Sequence, residues 1–247
     1  MVLAQLSAIV LLAFLVEAAA GFGGTVVTVA LASQLLPVDD VLARFLPVNV
    51  VLSAYLVLRH RRHIARRLLV ARILPYMGLG AVAGFFLARA ASPVWLKIVF
   101  AIFVIVLSTL ELWSLARRRP RAGKLGAPIA AAALLGAGVL HGLFACGGPL
   151  TVWVVGREVD DKAVFRATLS ALWLMMNVFL VAALTLDAKI HVATLRESAL
   201  LLPPLVVGIV LGEQVHARLS PERFRVAVFT LLFVSAAILL GRSLLRA

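Results

Sequence analysis

Apolar runs of about 15 to 25 residues follow one another from one end of the 247-residue chain to the other, parted only by short polar turns. A helix rises ~1.5 Å per residue, so a run of that length reaches across the ~30 Å hydrocarbon core of a bilayer. No water is available there to hydrogen-bond the backbone, so only helices and closed barrels can span it. A barrel would require short segments of alternating hydrophobicity, and none is visible. The chain is 63% hydrophobic with a mean hydropathy of +1.08, whereas a soluble domain is typically about half apolar. These features predict an all-α polytopic membrane protein seated in a lipid bilayer.

The formal net charge of +13 does not point to nucleic acid. Basic residues cluster between apolar runs, as in RHRRHIARR (59–67) and ARRRPRAGK (116–124), with no aromatic-interleaved basic face. That distribution is what retention of positive loops on the cytoplasmic side produces. The single cysteine, Cys146, excludes an intrachain disulfide. No Cys/His cluster, phosphate-binding loop or nucleophile elbow occurs, so no catalytic residue, metal site or cofactor is expected. Residues 2–16 followed by Ala18–Ala20 resemble a leader peptide, but the run lacks a basic start and Glu17 ends it, so it is read as part of the mature chain.

The sequence carries an internal duplication. LPYMGLGAVAGFFLARAASP (74–93) aligns without a gap on LPPLVVGIVLGEQVHARLSP (202–221) at an offset of 128, with seven of twenty positions identical, including Gly80/Gly208 and Gly84/Gly212. Asn49 and Asn177 share that offset; VDD (38–40) and VDD (159–161) match at 121, and Gly23-Gly24 and Gly147-Gly148 at 124. Each half divides into five helical pieces: roughly 2–20, 23–36, 41–58, 73–90 and 93–114, then 127–145, 148–157, 164–186, 197–217 and 222–245. A basic linker, 116–126, joins repeat 1 (about 1–115) to repeat 2 (about 127–247) in one integral membrane domain, 1–247. Two spans separate the basic segments 59–72 and 116–124, so both face the cytoplasm. Residues 2–36 as one helix would exceed ~50 Å, so a break at the glycines is expected. The first two pieces of each half then make an even number of crossings, each half an odd number, and the repeats are inverted. Such inverted repeats with broken or re-entrant helices are the architecture of secondary carriers, whose substrates bind near the midplane at the breaks.

The breaks lie in GFGGTVV (21–27) and ACGGPLTV (145–152). Gly23, Gly24, Gly147 and Gly148 leave the backbone bare, and amides at a helix start favour an anion. Thr25 and Pro149 follow the pairs, and proline suits a first helical turn. The same glycines would also serve close helix packing alone. Glu17 and His141 each stand six residues before their glycine pair and are candidates for proton coupling, or for interfacial placement near water. Arg44 and Arg166 follow the two VDD motifs and could hold an oxyanion, or pair with the nearby aspartates. Asn49 and Asn177 could donate to substrate or bridge helices.

GFGG, the basic 59–67 loop, the 74–93 segment, the basic centre and the second glycine pair together resemble the TauE/SafE family of sulfite exporters and related permeases. The resemblance implies a multi-pass carrier of the plasma membrane that exports sulfite, organosulfonates or other small sulfur anions. Thr25 and Pro149 stand where the family pattern has a third glycine, Cys146 precedes the second pair, and Arg44, Phe45 and Leu46 replace small residues. These departures leave open a bulkier or more strongly charged substrate, or a non-sulfur anion such as a carboxylate. A membrane-embedded enzyme or accessory subunit is the remaining alternative. Protons as a coupling partner and assembly as a homo-oligomer are both compatible with such a carrier.

Overall fold

The computed structural model describes residues 2–20, 23–117, 125–218 and 221–245. These are helical, with no strand among them. In chain order the helices are α1 (Val2–Ala20), α2 (Gly24–Ala32), α3 (Val38–His60), α4 (a single turn, Arg66–Leu68), α5 (Leu74–Ala90), α6 (Pro93–Arg117), α7 (Ala127–Phe144), α8 (Gly148–Val155), α9 (Lys162–Leu186), α10 (Val192–Leu200), α11 (Leu202–Arg218) and α12 (Pro221–Leu244). Seven segments among the described residues are long and apolar enough to cross a membrane, and α1 is a shorter apolar helix. Large apolar side chains such as Leu79, Phe86, Trp95, Leu110 and Val206 point outward. Exposed large apolar side chains in such number suit lipid rather than water.

All ten expected pieces form helices close to where periodicity and breaks place them. The differences have local causes. The second piece stops at Ala32, where turns replace the helix ahead of Pro37. Asp39 and Asp40 lie in the first turn of α3 and Asp161 caps α9, its carboxylate accepting from the Val164 amide at 2.8 Å. The duplicated VDD is thus a repeated helix start, where acidic groups complement the electropositive end. The basic segment 59–72, expected as a loop, is largely helical: Arg61–His63 form a 3-10 turn, and α4 runs through a π-helical stretch (Leu69–Ile73) into α5. Its turn is pinned by the Ala65 amide, which donates to Thr168 Oγ1 at 2.9 Å. The piece expected at 197–217 is two helices, α10 and α11, with Pro203 and Pro204 in the first turn of α11, where a missing N–H costs nothing. Most of the expected linker, residues 118–124, lies outside the described residues, as do Gly21 and Phe22.

Packing divides the chain into two compact units that do not coincide with the two sequence halves. One unit holds α1, α2, the start of α3, α6, α11 and α12; the other holds the rest of α3, α4, α5, α7, α8 and α9. In the first unit α1 packs along α11 and α6 along α12. In the second, α5 packs along α7. The first piece of each half (α1, α7) therefore pairs with the fourth piece of the other, through α11 and α5.

Glycines set the closeness of both pairings. A methyl group at Gly80 or Gly84 of α5 would collide with backbone of α7 at Leu135, Gly138 and Val139. One at Gly138 or Gly142 of α7 would collide in turn with the carbonyls of Met77 and Ala81. The repeat-related Gly208 and Gly212 of α11 meet the carbonyls of Leu11 and Leu15 in α1. Inside a bilayer helices associate by van der Waals contact, and small residues four apart let backbones touch. The identical glycines of the duplication thus perform one packing task twice.

Candidate functional site

Each unit contains one helix break. In the first, Gly23 adopts φ 102°, a left-handed conformation that disfavours residues with a side chain, and caps α2 through its backbone alone. The α2 ladder begins where the Val27 amide donates to the Gly23 carbonyl at 2.9 Å. In the second, Ala145 takes the left-handed conformation instead, with φ 54°, and ends α7. Its amide donates to the His141 carbonyl at 2.7 Å. Gly147 is right-handed, with φ −68°. It is small for another reason: a methyl group there would strike the Ala137 carbonyl, Met77 and His141. The two glycine pairs thus differ: Gly23 supplies left-handed backbone and Gly147 supplies close approach.

The helices restart at Gly24 and Gly148. The first amides of each precede the hydrogen-bonded ladder and give the helix start its partial positive charge. Thr25 and Pro149 occupy the second helical position in each case. With nine and eight residues, α2 and α8 rise only ~12–13 Å, less than half of a ~30 Å core. Both fold back on the helix before them: Gly24 lies against Ala13 and Glu17, and Gly147 against Ala137 and His141. Those neighbours correspond at the 124-residue offset that relates the glycine pairs, although the contact falls on the second glycine of the first pair and the first glycine of the second. Each break thus rests on the ionisable residue six positions before its glycine pair.

The two ionisable residues differ in setting. Glu17 is half-buried, and its carboxylate fills the space directly over Gly24 in the first turn of α2. His141 is fully buried, its ring stacked on Trp173 with centroids 5.9 Å apart and planes 10° from parallel. Neither ring nitrogen has a hydrogen-bond partner in good geometry, and the Met176 backbone is the polar group facing the ring. Trp173 also borders Gly148, 3.9 Å from where a β-carbon would stand. Beneath the break Thr151 donates from Oγ1 to the Gly147 carbonyl at 2.8 Å and lies 3.4 Å from the Met77 sulfur.

The remaining candidates have their own settings. Arg44 donates from Nε to Glu197 at 2.6 Å and from Nη1 to the Asp40 carbonyl at 2.9 Å, and the Ser198 hydroxyl donates to the Arg44 carbonyl at 2.8 Å. Its charge is already matched by a carboxylate from α10. Arg166 is exposed in the first turns of α9. Asn49 and Asn177 are buried, and Ser53 donates to Asn49 Oδ1 at 3.2 Å. Trp173, Met77, Thr151 and Glu197 were not singled out from sequence. An indole in an apolar span, such as Trp173, carries no signal in sequence that tells a ring lining a break from one facing lipid.

A family model described as sulfite exporter TauE/SafE matches residues 6–239. The chain belongs to the sulfite exporter TauE/SafE family. TauE/SafE proteins are membrane permeases rather than enzymes, so this chain is a multi-pass membrane transporter of the sulfite and sulfonate exporter type. Comparison with curated proteins and with solved structures gives no match.

Proposed function

We propose that the chain is a secondary carrier of the plasma membrane that exports sulfite or an organosulfonate by alternating access. In this reading the glycine breaks bind the anion through the starts of α2 and α8, with Gly23, Gly24, Thr25, Gly147, Gly148 and Pro149 shaping the backbone. Glu17 and His141 exchange protons with the transport cycle. The observation that carries the reading is the repeated arrangement at the breaks, where an ionisable side chain packs on the start of a half-length helix in both copies. Electropositive helix ends buried in an apolar protein are suited to small anions. Asn49 and Asn177 remain candidate donors to substrate. Arg166 is exposed and able to act at an entrance, whereas the pairing of Arg44 with Glu197 favours a structural part for Arg44.

Flux into liposomes containing the purified chain tests this across sulfite, sulfoacetate, taurine, sulfate and acetate. The expected result is saturable movement of sulfite or sulfoacetate. Movement of acetate alone would transfer the reading to a carboxylate carrier.

A further inference from the structure

The duplication brings two equivalent breaks, yet their chemistry is opposite. Glu17 places its own carboxylate on Gly24 at the start of α2, in the space an incoming anion would need. A carboxylate beside a helix N-terminus is favourably placed, because it meets the positive end of the peptide dipoles. At the equivalent position of the second copy stands His141, which contributes no negative charge. Among the described residues no carboxylate stands over Gly148 as Glu17 stands over Gly24. Among the described residues, and apart from its own helix and chain neighbours, what comes near the β-position of Gly148 is the Trp173 ring at van der Waals distance. Stacked on that ring is the fully buried His141 imidazole, whose nitrogens have no hydrogen-bond partner in good geometry, with the Met176 backbone as the polar group facing it. A buried polar ring without partners is costly unless a ligand supplies them.

We infer that the two breaks are functionally unequal: the second takes the anion, held by the Gly148 and Leu150 amides and His141 against Trp173, while the first is closed by Glu17 acting as a tethered anion. Pro149 has no amide hydrogen, so Gly148 and Leu150 are the first-turn donors that α8 offers. The inference rests on the carrier reading and narrows it to one anion per chain. It makes Glu17 a specificity device, since any anion entering the first break must displace a carboxylate already in place.

Sulfite titrated calorimetrically into the full chain in detergent tests this with the wild type, Glu17→Gln, His141→Gln and His141→Phe. The expected stoichiometry is one sulfite for the wild type and two for Glu17→Gln. Both His141 variants should weaken the wild-type site at least tenfold while unfolding at a temperature close to that of the wild type. Two sulfites on the wild type would overturn the inference, as would no sulfite at all. Unchanged affinity in either folded His141 variant, or a single site in Glu17→Gln, would also overturn it. Liposome flux read separately keeps the carrier reading distinct: one bound sulfite without flux would sink transport and leave the unequal breaks standing.

Discussion

At the scale of single residues, the four break glycines have separable duties. No described residue beyond its chain neighbours comes within 4 Å of a β-carbon built at Gly23, but its backbone is left-handed. Gly23→Ala should therefore cost about 1–2 kcal/mol from conformation alone. Gly147 has an ordinary backbone but no room, so Gly147→Ala should cost about 1–3 kcal/mol by overpacking against Ala137, Met77 and His141. Gly148→Ala meets nothing closer than Trp173 and should stay within about 0.5 kcal/mol of wild type. Thermal unfolding of the three variants in detergent checks the order. Arg44 poses a second residue-scale question. Its partner Glu197 is about two-fifths exposed, so a double-mutant cycle of Arg44→Gln with Glu197→Gln should return a modest coupling of about 1 kcal/mol or less. The glycine pairs, Glu17 and His141 were legible because they break the rule of an apolar run, and each lies at its break. Trp173 and Met77 were not, because in an apolar helix nothing in the sequence distinguishes a ring that lines a break from one that faces lipid.

At the scale of helices, segment positions were legible because apolar runs, prolines and acidic starts mark them independently. The fate of 59–72 was not. A basic stretch reads as a loop, yet arginine is a good helix former, and here α4 and the π-helical stretch continue into α5. Pairing was half legible. The glycines four apart in 80–84 and 208–212 signal close contact, but not that their partners are α7 and α1, helices of the opposite half. The pairing predicts that Gly84→Leu and Gly212→Leu each prevent normal assembly, since both side chains would enter facing backbone at Val139 or Leu15. Gly78→Leu should be tolerated, since among the described residues nothing lies within 4 Å of its β-position. Yield of monodisperse protein on size-exclusion chromatography distinguishes the two outcomes.

At the scale of the molecule, the all-helical membrane architecture follows from the length of the apolar runs, and membership of the sulfite exporter TauE/SafE family agrees with it. The inverted relation of the halves rests on charge placement. It predicts that a reporter fused after Ala247 lies outside the cytoplasm while one inserted near Arg61 lies within it; a cytoplasmic C-terminus would make the repeats parallel. The central claim is that the chain moves a small sulfur anion through its helix breaks. Sulfite efflux from liposomes carrying the wild type or Gly148→Pro tests it most directly, because proline removes one α8 amide donor at a position where a first helical turn tolerates it. Saturable wild-type efflux well above that of protein-free liposomes is expected, reduced at least tenfold in the folded variant. Wild-type efflux no faster than from protein-free liposomes, or a folded variant as fast as the wild type, would contradict it.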